Sequence, residues 1–202
     1  MKLVIRLALV AIVLAALAGV VSGIVAPETF APLTPAWVAR TVYPLEHENT
    51  IRAAAAKNHV DPALVAAMIF VESGFDEDAR SSQGAVGLMQ VLPDTAKQIA
   101  HETGGSDFEV ADLQDPNVNV RYGTYYLRRT LDQFDGDTVS AVAAYNAGEG
   151  VVQTWAAAAA AQGRSLRTTD IAYPETRAYV DDVLQARKIY RETYARELLG
   201  AD

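Results

Sequence analysis

An aspartate followed by a proline occurs twice in this chain, at Asp61-Pro62 and Asp115-Pro116, and each pair opens a segment of helical period. The carboxylate accepts from the free N–H groups of a first turn, and proline fixes φ where no N–H is needed. After the first pair, Leu64, Val65, Met68, Ile69 and Glu72 recur at spacings of one, three and four, the pattern of an amphipathic helix with a buried stripe. Gly74 then supplies a stop, being free to turn left-handed after the last helical residue. After the second pair, Val120, Thr124, Leu127, Leu131 and Phe134 alternate spacings of four and three, which predicts a central helix. Further helices are expected over 46–58, 93–101, from Asp137 to Gly148, over 151–162 with its alanine run, and over 175–199 behind Pro174. No segment sustains period-two alternation, and only a short hairpin around 79–90 fits a strand reading. The expected fold is mainly α.

Glu72 stands where the stripe calls for an apolar residue. Burial disfavours a carboxylate, and the negative end of the helix dipole acts in the same direction. Both raise the pKa towards the range in which a carboxylic acid donates a proton near neutral pH. The segment that follows, 71–93, is a loop of small residues closing on Gly87-Leu88-Met89-Gln90. A glutamate fraying at a helix end is the plain alternative, and the flanking residues weigh against it.

Composition narrows the chemistry. The 202 residues include no cysteine, so disulfides, thiolate metal sites and a lipid anchor on cysteine are excluded. His47, His59 and His101 do not recur at ligand spacing, and the acidic residues lack the Asp-x-Asp-x-Asp-Gly pattern of a calcium loop, so no metal and no cofactor is implied. The net charge of -8, with no basic run beyond Arg128-Arg129, argues against a nucleic-acid partner. Residues 7–26 carry no charge, follow Lys2 and Arg6, and are long enough for a bilayer core of roughly 30 Å. They read as an uncleaved signal anchor in preference to a cleaved signal peptide, because 22–26 makes a poor cleavage site. Either way the rest is exported. The expected organisation is an anchor or signal at 1–26, an extended Pro-rich linker at 27–42, and one domain at 43–202.

Several blocks then line up. ESGF at 72–75, Ser81, GAVGLMQ at 84–90, LPDTA at 92–96, NVNVRYGTYYL at 117–127, AVAAYNAGEGVV at 141–152 and IAYPETRAYV at 171–180 resemble, in order, the blocks of the soluble lytic murein transglycosylase family. The resemblance implies a lysozyme-like domain of the goose-type lysozyme or SLT kind, with a groove for peptidoglycan glycan strands. It implies cleavage of the β-1,4 bond between N-acetylmuramic acid and N-acetylglucosamine without water, leaving a 1,6-anhydro ring. The place of action would be the extracytoplasmic face of the cell envelope, with the membrane reached through 7–26 and envelope assembly partners left open.

The resemblance also implies roles. Glu72 is the single catalytic acid and base. Ser81, Gln90, Leu92, Tyr145, Asn146 and Glu175 line the substrate. Ser81 would bond the acetamido group or Glu72, unless it only shapes a turn. Gln90 offers a donor and an acceptor to sugar. Leu92 stands where many relatives carry methionine. The Tyr145 hydroxyl reaches Glu72 or substrate, beside Asn146. Glu175 lines the groove, with Arg177 pairing to it, and Trp155 either stacks on sugar or packs inside. Asp76, Glu77 and Asp78 read as a solvated loop. The rival readings are a hydrolytic muramidase of the same fold and a non-catalytic peptidoglycan-binding scaffold.

Overall fold

The computed structural model describes residues 36–200. Ala36–Val42 (α1) is a helix in a stretch that the sequence reading took as extended linker; the remaining residues before it, including the apolar span 7–26, lie outside the described residues. From Tyr43 onward the chain forms one unit of dense internal contact. It holds Glu48–Asn58 (α2), Pro62–Ser73 (α3), Pro93–Thr103 (α4), Pro116–Gln133 (α5), Thr138–Ala147 (α6), Glu149–Ala160 (α7), Pro174–Thr193 (α8) and Ala195–Leu199 (α9). Short 3-10 turns cover Val110–Gln114 and Thr168–Asp170. Among the described residues no helix is long and apolar enough to cross a membrane.

The caps follow the chemistry read from sequence. Asp61 accepts from the Ala63 N–H at 3.0 Å, Asp115 from the Asn117 N–H at 2.8 Å, and Asp137 from the Ser140 N–H at 3.0 Å. Gly74 closes α3 in the left-handed region, φ 62°.

The buried stripe expected of α3 is replaced by something stronger. Every residue from Ala63 to Ile69 is buried, so the first two turns are enclosed on all sides, and only the turn from Phe70 to Ser73 emerges. A helix apolar all round is a core helix and not a surface one. Its main neighbour is α8, while α5 packs on α2 and α6. α5 buries Val120, Thr124, Leu127 and Leu131 of its predicted stripe and packs on α4 as well, and α3 is a second helix of the core.

Two further expectations are corrected. The helix predicted over 175–199 breaks at Tyr194 into α8 and α9. The hairpin at 79–90 reduces to isolated antiparallel bridges, Arg80 to Val86 and Val86 to Val91. The break coincides with a closure of the unit. Tyr190 donates to the Pro44 carbonyl at 2.7 Å and Tyr194 to the Tyr43 carbonyl at 2.8 Å. Tyr43, Phe70, Phe75, Tyr190 and Tyr194 pack ring against ring with centroids 4.8–6.3 Å apart. The first and last segments are thereby fixed to the end of α3 that carries Glu72.

Candidate active site

Glu72 occupies the last turn of α3, where the helix leaves the core, and is half-buried. Burial raises its carboxyl from the usual carboxylate range to about 7, and a hydrogen bond from Tyr179 pulls it partly back. The Tyr179 hydroxyl donates to Glu72 Oε1 at 2.5 Å and lies 3.6 Å from Met68 Sδ. Near neutral pH such a group holds or releases its proton at little cost, as a general acid that later acts as base must. Asp76, Glu77 and Asp78 are exposed.

Tyr145, at the end of α6, is the other phenol facing Glu72. Burial first, then the Glu72 charge, hold its hydroxyl well above the ordinary tyrosine range, so it stays a donor. It does not bond Glu72. Its hydroxyl donates to the Met89 carbonyl at 2.9 Å, and of the two partners expected for it, Glu72 or substrate, Glu72 is bonded by Tyr179 instead. Tyr179 is the main site residue that sequence reasoning missed. It lies on α8, 107 residues from Glu72 in sequence. Its signal was a polar-tipped residue adjoining the buried run Thr176, Val180, Val183, Ala186 and Tyr190.

The turn opposite Glu72 is held from below by a second missed residue, Asn119, fully buried on α5. Its Nδ2 donates to the Val86 carbonyl at 2.7 Å and the Leu113 carbonyl at 2.9 Å, while its Oδ1 accepts from the Met89 N–H at 2.8 Å. Gly87 is required there twice over. Its φ is 75°, and a Cβ would lie 2.4 Å from Asn119 Nδ2. Ser73 ties helix to turn, its Oγ donating to the Leu88 carbonyl at 2.9 Å. Gln90 takes φ 46°, a strained value for a side-chain-bearing residue. Its Nε2 donates to the Ala79 and Gly87 carbonyls at 3.1 and 2.9 Å. The amide donor expected to face sugar is thus spent on the loop, and its carbonyl oxygen remains as acceptor.

The other predicted residues are placed as follows. Ser81 is exposed and its Oγ accepts from the Gln83 and Ala85 N–H groups at 3.2 and 3.0 Å, the turn-shaping option. Leu92 is 41% exposed at the N-cap of α4. Asn146 is exposed and accepts from the Thr176 hydroxyl at 2.8 Å, which sets it beside the exposed Glu175 in the first turn of α8. Arg177 does not pair with Glu175; it donates to the Ile171 carbonyl at 2.6 and 3.2 Å. Trp155 is half-buried and meets the half-exposed Tyr173 edge to face at 5.1 Å. Glu72, Tyr145 and the Met89-Gln90 turn come together. Asn146 and Glu175 form a neighbouring pair, and neither Ser81 nor Leu92 bonds to Glu72. Among the described residues no group of histidines and carboxylates could hold a metal ion.

The family model described as the transglycosylase SLT domain matches residues 49–167, more than half of the chain. The chain belongs to that family. A similar protein is the soluble lytic murein transglycosylase of Salmonella typhimurium, 31% identical over 151 residues, covering 74% of this chain and 23% of the relative. Among solved structures, an inactive Glu-to-Gln mutant of the lytic transglycosylase Slt of Pseudomonas aeruginosa is 34% identical, with a TM-score of 0.68, over 76% of this chain and 25% of that one. The 70 kDa soluble lytic transglycosylase of Escherichia coli is 28% identical, with a TM-score of 0.72, over 80% and 26%. The chain therefore spans about a quarter of the length of these relatives. The unit from Tyr43 has the mainly helical, lysozyme-like SLT fold that the motif blocks implied.

Proposed function

We propose that this protein is a peptidoglycan lytic transglycosylase of the cell envelope. It cleaves the β-1,4 bond from N-acetylmuramic acid to N-acetylglucosamine and leaves a 1,6-anhydro end. One observation carries the reading. A single half-buried carboxyl, raised to about 7 by burial and bonded by one phenol, stands at the end of the core helix. Most glycosidases employ two carboxyl groups, one as acid and one as nucleophile or base. Glu72 is the one half-buried carboxyl we assign to the chemistry, so in this reading the substrate supplies the other function.

The steps balance without water. Glu72 gives its proton to the leaving glycosidic oxygen as the C1–O bond breaks. The substrate's acetamido carbonyl oxygen stabilises the cationic C1. Glu72, now a carboxylate, removes the proton from the C6 hydroxyl, and that oxygen closes on C1. The acid is restored, and a pKa near 7 suits both halves of the cycle. Tyr179, donating to Oε1, stabilises the ionised form that exists only between the two steps. Tyr145 holds the Met89 carbonyl and with it the turn that ends at Gln90. Asn146, Glu175 and the Gln90 carbonyl oxygen are the polar groups we assign to sugar, and Leu92 an apolar contact. We further assign residues 7–26 to the cytoplasmic membrane as an anchor that keeps the enzyme at the wall. The support is the uncharged span behind Lys2 and Arg6.

The test is digestion of purified peptidoglycan with product masses read directly. The reading requires anhydro ends, one water lighter than hydrolytic ends. It requires Glu72→Gln to lose at least about a thousandfold in rate. Reducing ends would establish a muramidase, and unchanged digestion by Glu72→Gln would remove Glu72 from the chemistry.

A further inference from the structure

On the side of Tyr145 away from Glu72 lies a charge cluster that the catalytic scheme does not use. The Tyr145 ring packs on Tyr126 of α5, centroids 5.1 Å apart. The guanidinium of Arg129, one turn further along α5, lies 4.8 Å from the centre of the Tyr126 ring. Arg129 is itself gripped from two other helices. Its Nε and Nη2 both donate to Glu149 Oε1 at the start of α7, at 3.2 and 2.9 Å, and its Nη1 lies 3.5 Å from Glu102 Oε1 on α4. All three side chains are partly buried, where an ion pair with a fixed fork is stronger and better aimed than on open surface.

We propose that Arg129 is a positioning residue of the acid site, acting through the Tyr126–Tyr145 ring pair to hold the wall that shields Glu72 and fixes the Met89 carbonyl. The proposal rests on the reading of Glu72 as the acid of glycan cleavage. The path is a series of direct contacts: Glu149 to Arg129, Arg129 to Tyr126, Tyr126 to Tyr145, Tyr145 to Met89. The first link joins α5 to α7, the third joins α5 to α6, and the last reaches the turn carrying Gln90. α4, α5 and α7 thus share one cation, and the ring pair links it to α6. Arg128, the preceding residue, points elsewhere: it pairs with Asp132 on its own helix and donates to the His59 carbonyl.

The groups facing Glu72 are Tyr179 from α8 and Tyr145 from α6. Those facing Tyr126 are Arg129, Glu149 and Tyr145, and those facing Arg129 are Glu149, Glu102 and Tyr126. No charge of the Arg129 cluster acts on Glu72 directly. Loosening the ring pair therefore changes Glu72 through water access, and the sign is fixed: less burial lowers its pKa.

The experiment uses the full chain, with digestion rates followed from about pH 5 to about pH 9 and Glu72 titrated by carboxyl carbon NMR. Arg129→Met is expected to lower kcat about tenfold with KM within about twofold. Its alkaline limb and its Glu72 titration should both move down by about half a pH unit. Arg129→Lys, which keeps a cation over the ring, should restore the limb in part, and Glu149→Gln should shift it less and in the same direction. Arg128→Met should keep the wild-type limb. The proposal is overturned if Arg129→Met and Glu149→Gln keep the wild-type Glu72 titration, whatever they do to melting temperature. If Arg129→Met does not fold, Arg129→Lys and Glu149→Gln decide. Should the wild type fail to digest peptidoglycan while the titration still moves, the positioning role stands and the functional reading falls.

Discussion

At the scale of the residue, Glu72 is governed by two opposed effects, and they are separable. Burial raises its carboxyl to about 7 and the Tyr179 bond lowers it. Tyr179→Phe removes the lowering effect and leaves the burial. The sign follows: Glu72 holds its proton to higher pH, so the alkaline limb of kcat/KM, expected near 7 in the wild type, moves up. A hydrogen bond to a charged group contributes about 1.5–3 kcal/mol, so the limb should move by about one to two units and kcat fall at least about tenfold. Rates measured on peptidoglycan against pH check this; a limb that stays or moves down would show that Tyr179 does not serve the ionised form. The sequence showed Glu72 by its misfit to an apolar pattern. It could not show Tyr179, because tyrosine is at home on a buried face and nothing local says where its hydroxyl points. Tyr145 was visible in its block, with Glu72 or substrate as its expected partner, and its hydroxyl bonds the Met89 carbonyl. The choice between Glu72 and the Met89 carbonyl depends on how α6 and the turn meet, which no local pattern encodes.

At the scale of the element, helix boundaries were legible because their signals are local. Asp61, Asp115 and Asp137 accept from their own first turns, and Gly74 and Gly104 close theirs. The loop between α3 and α4 was less legible. Its shape depends on Asn119, some thirty residues away, whose three bonds set where Val86 and Met89 lie. Two glycines of that loop test the account. Gly84 has φ 84° and open space around a would-be Cβ, so Gly84→Ala adds only backbone strain, about 1 kcal/mol. Gly87 has φ 75° and a Cβ position pressed against Asn119. Gly87→Ala must therefore displace a buried amide as well, and should cost roughly 3–4 kcal/mol with most activity lost. Urea denaturation of both variants, with digestion assayed alongside, measures the difference. Equal costs would mean that Asn119 does not fix the turn.

At the scale of the whole molecule, the part matched to the family ends at 167, before the helix that completes the site. α8 is the main neighbour of α3 and contributes Thr176, Val180, Val183, Ala186 and Tyr190 to the core, besides Tyr179 to Glu72. The sequence placed a long helix here but not its importance, since its apolar positions look like those of any amphipathic helix. Its partner is what sets it apart. Because α3 is enclosed on all sides from Ala63 to Ile69, removing α8 leaves an apolar cylinder facing water. Each apolar side chain of α8 returned to solvent costs roughly 1.5–3 kcal/mol, and the same exposure falls on α3. The sum reaches the whole stability of an ordinary domain, about 5–15 kcal/mol. A chain stopped after residue 167 is therefore expected to show no cooperative thermal transition and no digestion of peptidoglycan, while one stopped after Gly200 keeps both. Calorimetry decides: a sharp transition in the shorter chain would mean that 43–167 folds without α8, and that the burial of Glu72 has another source.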